Sequence, residues 1–147
     1  MRAGILAVVA TGIVMAAGGA QAMKPPQVYE DARANAAYHL RIEISAMQPR
    51  SGQAIDDCRV EGLVVGILRD ERSALAIGDL VSFEVKCVRA DADPNLIPDC
   101  MLYMPTESLV EGQLLEAYLN RSTFGGFALA EDQVQAVQPG AASGDQS

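Results

Sequence analysis

Residues 38–47 read Tyr38-His39-Leu40-Arg41-Ile42-Glu43-Ile44-Ser45-Ala46-Met47. Apolar side chains fall at every second position, Tyr38, Leu40, Ile42, Ile44 and Ala46, with His39, Arg41, Glu43 and Ser45 between them. Successive side chains of a strand point to opposite faces, so this period of two predicts a strand with one face on a core and one in water. Pro49 ends it. The same alternation returns over 80–88, where Val81, Phe83, Val85 and Cys87 alternate with Ser82, Glu84 and Lys86. Between the two lies a third strand, 58–68, which is denser in apolar residues: Leu63, Val64 and Val65 stand between Gly62 and Gly66. That run predicts burial on both faces or a bulge at a glycine.

Two further strands are expected over 113–120 and 127–137. Ser122 to Gly126 joins them, and Gly125-Gly126 supplies the conformational freedom of a tight turn. Residues 28–37 are Ala-rich and predict a short N-terminal helix, marginal by its length. Residues 50–57 read as a polar loop, 70–73 as a charged turn and 89–99 as a loop carrying Pro94 and Pro98. Residues 101–104 predict a short edge strand, and 107–111 one helical turn before Gly112. No internal repeat is present. About five strands with an irregular insertion before the fourth long one predict a mainly β fold, a small antiparallel OB-like barrel. A β-sandwich is the alternative, because strand count alone does not separate the two.

Outside this core the chain changes character. Arg2 is the only charge before Lys24, and residues 3–17 are almost wholly apolar. That run is shorter than the about 20 residues a membrane span needs. Gly18-Gly19-Ala20-Gln21-Ala22 follows, with Ala20 and Ala22 in the A-x-A pattern of a cleaved signal peptide. Residues 1–22 are therefore expected to be removed between Ala22 and Met23, giving a periplasmic or secreted protein. No Cys follows the small residues as a lipid acceptor, and no later stretch is long and apolar enough to span. One domain is expected over 23–137, followed by a disordered Pro, Gly, Ala and Ser-rich tail over 138–147.

The leader carries one Arg and no acid, so its removal takes the net charge from −8 to −9. Lys and Arg are scattered, which predicts no nucleic-acid partner, since phosphate backbones are held by basic clusters. The same acidity disfavours anionic membrane surfaces.

Cys58, Cys87 and Cys100 remain after export. In an oxidising compartment three cysteines predict one bridge and one spare thiol. A hairpin that puts Cys58 opposite Cys87 also puts Val60 opposite Val85, Gly62 opposite Phe83 and Val64 opposite Val81. All of these lie on one alternation face, and an aromatic over a strand glycine is a stabilising arrangement. Cys58–Cys87 is therefore the favoured pair, with Cys87–Cys100 as the alternative. No C-x-x-C is present, so the bridge is read as structural.

Candidate chemistry is sparse. His39 is the only histidine and falls on the polar face of its strand. Glu43 and Ser45 share that face, but at about 13 and 20 Å along an extended strand they are too far to act with it. An exposed structural histidine is the expectation. Asp56, Asp57, Asp91 and Asp93 offer loop oxygens for calcium, yet no EF-hand pattern is present, and turn formation explains them. One His and three Cys lack the close spacing of zinc ligands. Phosphate-binding loops, dinucleotide fingerprints and nucleophile elbows are absent, so no cofactor is expected. Tyr38, Phe83, Tyr103, Tyr118, Phe124 and Phe127 offer a ligand groove, though core packing is the default for Tyr38 and Phe83.

Three segments carry a resemblance: Cys58-Arg59-Val60-Glu61-Gly62, Gly78-Asp79-Leu80-Val81-Ser82-Phe83-Glu84-Val85-Lys86-Cys87, and Leu115-Glu116-Ala117-Tyr118-Leu119-Asn120. Together they resemble small exported proteobacterial proteins of unknown function and, more generally, OB-type barrels including netrin-like modules. The resemblance covers most of the mature chain, implies no catalytic residues and supports Cys58 and Cys87 as the paired cysteines. The expected function is an exported, non-catalytic binding or structural module of the cell envelope, with a protein or small molecule as partner. A small periplasmic hydrolase or metal-dependent enzyme is the alternative.

Overall fold

The computed structural model describes residues 23–98 and 101–138. The expected leader, residues 1–22, together with Cys100 and most of the expected tail, lies outside the described residues. A helix, α1 (Pro26–Asn35), precedes six strands: β1 (Tyr38–Pro49), β2 (Ile55–Asp70), β3 (Leu80–Val88), β4 (Met104–Pro105), β5 (Leu114–Arg121) and β6 (Phe127–Ala136). They form one sheet in the order β4-β3-β2-β1-β5-β6. The sheet curls into a nearly closed, OB-like barrel, and β3 and β6 come side by side at the seam. The predicted helical turn before Gly112 is a 3-10 turn at Thr106–Ser108.

The alternation seen in the sequence fills the barrel. Tyr38, Leu40, Ile42 and Ile44 of β1 are buried with Val81, Phe83 and Val85 of β3 and Leu115, Ala117 and Leu119 of β5. Ala46 breaks the expected pattern and is exposed, while Met47 packs against the core. Ser45 is an extra residue in β1, because Ile44 faces Gly62 and Ala46 faces Glu61. Such a bulge reverses which side chains face inward beyond it.

β2 is longer than predicted and bulges twice more, at Val65 and Leu68. A bulge at a glycine was one of the two expectations for this strand, and the one at Val65, beside Gly66, is present. Burial on both faces is not: Leu63, Val65 and Leu68 are exposed.

Cys58 and Cys87 form the disulfide, with their Cα atoms 5.8 Å apart. The register around it differs from expectation by two residues. Cys58 faces Val85, Val60 faces Phe83, Gly62 faces Val81, and Cys87 faces Asp56. A shift of two keeps every side chain on its face, so the same residues are buried, but the bridge runs diagonally between strands. Phe83 does not cover Gly62. The space above that glycine is taken by β1, where an added Cβ would lie 2.5 Å from Ile42 Cγ2 and 2.6 Å from the Glu43 carbonyl oxygen.

No helix among the described residues is long and apolar enough to cross a membrane. That observation and the intramolecular disulfide are compatible with an extracytoplasmic location.

Candidate functional site

The seam of the barrel opens into a wide cleft. Antiparallel pairing alternates residues whose main chain faces the partner with residues whose main chain faces away. The Val64 N–H donates to the Asp79 carbonyl at 2.9 Å and the Arg89 N–H to the Ala54 carbonyl at 2.8 Å. These bonds set the odd residues of β3 toward β2, so the main-chain groups of Ser82, Glu84 and Lys86 point to the seam. β3 has a strand partner on that side only at Cys87 and Val88, which meet β4.

A cleft of about 800 Å³ opens here. Its floor is the outer face of β2 and β3, with Arg59, Ser82, Glu84 and Lys86, and its wall is the β5–β6 hairpin from Ser122 to Leu129. The hairpin lies close, since a Cβ on Gly126 would sit 3.7 Å from the Ser82 carbonyl oxygen. Gly125 and Gly126 both have positive φ, 89° and 73°, as the tight turn requires. At the tip Phe124 is 99% exposed. Of the aromatics offered by the sequence, Tyr38 and Phe83 are core, and Phe127 packs edge-on to Tyr38 at 5.3 Å. Phe124 alone of these three cleft-lining or core phenylalanines presents its whole ring to solvent.

Five of the charged side chains that line the cleft, Arg50, Asp57, Arg59, Glu84 and Lys86, are in ion pairs. Arg50 reaches Glu84 at 3.2 Å and Asp57 at 3.8 Å, and Lys86 reaches Asp57 at 3.5 Å. Asp132 lines the cleft from a bulge in β6, where Leu129 faces Leu119 but Val134 faces Ala117. Glu131 and Asp132 there have φ of 49° and 57°. Bulges and left-handed non-glycine residues of this kind re-aim side chains at functional sites.

The loop aspartates are each engaged separately. Asp56 accepts from the N–H groups of Ser51 at 2.9 Å and Gly52 at 2.8 Å. Burial opposes its ionisation, but these bonds, the Ser51 hydroxyl and the Asp57 N–H outweigh it and hold its carboxyl below the usual range. Asp91 takes two bonds from Arg89, which lower its pKa. Asp93 caps a 3-10 turn through the Asn95 N–H. Among the described residues no three His, Cys, Asp or Glu side chains gather as metal ligands.

His39 corrects the expectation of an exposed residue. Its side chain is only 14% exposed, and Nε2 lies 2.6 Å from Glu116 Oε1. Its ring stacks on Tyr118 with centroids 4.1 Å apart. Both partners come from β5, where Tyr118 faces His39 and Glu116 faces Arg41. Burial, and then the Glu116 charge, raise the Tyr118 pKa. None of these residues lines the seam cleft. The cluster is the one acid–base pair that reasoning along β1 missed. The signal was there in the outward positions Glu116 and Tyr118 of the strand predicted at 113–120.

No family model matches the chain, and comparison with curated proteins finds no match.

Proposed function

We propose that this chain works outside the cytoplasm as a non-catalytic binding module of the cell envelope, and that its ligand lies in the seam cleft. The single observation that carries the proposal is the fully exposed Phe124 standing over a cleft of about 800 Å³. That volume is within the range of roughly 300–1,000 Å³ of ligand sites. A bare aromatic beside it supplies a stacking or packing surface, and the paired Arg50, Asp57, Glu84 and Lys86 supply fixed donors and acceptors. Those acids are committed to cations, which suits orienting a ligand more than moving a proton. The leader at 1–22 and the disulfide support the location.

The test is nuclear magnetic resonance of the labelled protein titrated with a peptide mixture and with a small-molecule fragment library. The expected result is that shifted amides cluster at Ser82, Glu84, Lys86, Gly125 and Gly126, and that Phe124→Ala removes the shifts. Shifts clustering elsewhere, or none with either library, overturn the assignment.

A second reading has one observation in its favour. His39 held by Glu116 is the arrangement of a general base and its orienting carboxylate. Under this reading the enzyme alternative survives at β1–β5. Loss of a hydrolytic activity in His39→Gln, with the fold intact, is its test.

A further inference from the structure

The seam cleft is electrically balanced in a chain that is not. Arg50, Arg59 and Lys86 line it with Asp57, Glu84 and Asp132, three cations against three acids, while the chain as a whole carries −8. The excess acid therefore lies elsewhere on the molecule. A cleft without net charge neither steers nor holds an ion by its field. Its polar groups are nonetheless plentiful and fixed. Arg50 turns Nη2 to Glu84 and Nη1 to Asp57, and Lys86 turns to Asp57 as well. A carboxylate holding one cation keeps acceptor sites to spare, and a guanidinium keeps donors. The hairpin adds a flat apolar surface, the exposed ring of Phe124, on a braced turn. There the Ser122 N–H donates to the Gly126 carbonyl at 3.1 Å, and the Phe124 N–H to the Ser122 hydroxyl at 3.3 Å.

We infer that the ligand of this cleft is an uncharged oligosaccharide, with a sugar ring stacked on Phe124 and its hydroxyls held by Arg50, Asp57, Glu84 and Lys86. The inference rests on the cleft being the ligand site. A sugar ring is two-sided in the way the cleft is. Its C–H faces are apolar and pack on the electron-rich face of an aromatic ring. Its rim is a row of hydroxyls, each both donor and acceptor. Neighbouring hydroxyls present a donor and an acceptor side by side, which matches a carboxylate standing next to a guanidinium, as Glu84 stands 3.2 Å from Arg50. The length suits several rings in a row, because a smaller opening of about 120 Å³ beside Tyr103 and Met104 continues the cleft and shares Lys86, Leu129 and Asp132 with it. A nucleic acid fits poorly, since phosphates call for an excess of basic side chains. A peptide added as a strand fits poorly too. The hairpin closes that edge of β3 at Ser82, where Gly126 comes up against the carbonyl oxygen.

The test is titration of the labelled full chain, followed by amide shifts and calorimetry, with a charge series of probes. The neutral members are oligosaccharides of glucose, N-acetylglucosamine, mannose or galactose. A chitosan oligomer is the cationic member, an oligogalacturonate the anionic one, and a peptide mixture is run beside them. The expected result is that a neutral oligosaccharide shifts the amides of Ser82, Glu84, Gly125 and Gly126, with an affinity that high salt leaves within about twofold. Phe124→Ala and Arg50→Ala each weaken it by about tenfold or more, with unchanged circular dichroism. If only the charged oligomers or the peptides shift those amides, the inference falls and the cleft stands as a ligand site. If no probe shifts them, or a sugar shifts amides elsewhere, the cleft reading falls with it. Neutral-sugar binding that Phe124→Ala leaves unchanged also refutes the inference.

Discussion

Gly62→Ala tests the account of how β1 and β2 are joined. Gly62 is buried opposite Ile44, next to the bulge at Ser45. Its backbone is not in the left-handed region, so alanine meets no conformational penalty of that kind. The obstacle is space: the new methyl would sit 2.5 Å from Ile42 Cγ2, 2.6 Å from the Glu43 carbonyl oxygen and 3.2 Å from its carbonyl carbon. An ordinary contact begins at 3.4 Å, so Glu43 must move by most of an ångström, and it is backbone within a ladder. Overpacking of this sort costs about 1–3 kcal/mol, and a backbone obstacle puts this site near the top of that range. Loss of glycine's freedom in the unfolded chain returns about 0.4–1 kcal/mol. The net expectation is a destabilisation of about 2 kcal/mol, or roughly 10 °C in Tm for a domain of this size. Gly66→Ala is the internal control. The atoms nearest its methyl would be Arg41 Cβ at 3.2 Å and Cδ and Cγ at 3.5 and 3.6 Å, so a shift of a few tenths of an ångström relieves the contact. It is expected within about 0.5 kcal/mol of wild type, because mild crowding and the unfolded-state gain offset each other. Equilibrium urea unfolding followed by far-ultraviolet circular dichroism measures both, with an unchanged m value confirming comparable states. Wild-type stability in Gly62→Ala, or equal losses in the two variants, would refute the argument from close approach.

Reduction of the Cys58–Cys87 bridge, or its replacement by serines, is expected to cost about 3.5 kcal/mol in urea unfolding, given a sequence separation of 29 residues. An oxidised and a reduced protein of equal stability would show that the loop between them is already constrained. Asp56→Ala should destabilise at neutral pH by releasing the Ser51–Gly52 turn. Because the folded pKa of Asp56 lies below its ordinary 3.8, that contribution is full above 3.8 and fades as pH falls through the lower folded value. Melts at neutral and strongly acidic pH should therefore show the gap between mutant and wild type closing in acid; a constant gap assigns the effect to packing. His39→Ala removes a largely buried hydrogen bond to a carboxylate and should cost about 1.5–3 kcal/mol. His39→Gln should recover part of that loss, and no difference between the two would point to the Tyr118 stack instead.

Strand positions were legible wherever one face was buried. Tyr38 to Ile44 and Val81 to Cys87 alternate without interruption, and both strands form there. The pairing face of Cys58 and Cys87 was legible for the same reason, since alternation fixes parity. Register was not, because a slip of two residues leaves parity unchanged and only the geometry of the long β2–β3 connection decides between the two. Bulges were half legible. Gly66 announced the one at Val65, but nothing local marked Leu68, and nothing local to Ser45 showed that Ala46 would turn outward. The cleft was the least legible feature. Phe124 and the glycine turn were visible as a loop, yet which strand face they would overhang depends on β3 and β6 meeting at the seam. Glu116 was hidden from His39 by 77 residues of chain and became its partner only through the β1–β5 ladder.

The bulge in β6 ties the helix to the cleft. α1 is 10 residues long and has no fully buried residue, so neither propensity nor packing makes it stable alone. It is held at its ends by polar contacts instead. Arg69 Nη1 donates to the carbonyls of Arg33, Ala34 and Ala36, which satisfies the open end of the helix. Arg33 donates to Gln133 at 2.7 Å, and Lys24, just before the helix, pairs with Glu131. Both acceptors belong to the bulge. Glu131 and Asp132 occupy left-handed conformations that cost roughly 1–2 kcal/mol each for ordinary residues. Without the bulge the Leu119–Leu129 register would continue, setting Glu131 opposite Ala117 and Gln133 opposite Leu115 on the core face and Asp132 opposite Glu116, so the helix would lose both acceptors and the cleft its acid. The same three extra residues thus give the helix its anchors on one side and the cleft its acid on the other. That shared use is a physical reason for the strain to persist at this point of an otherwise regular strand.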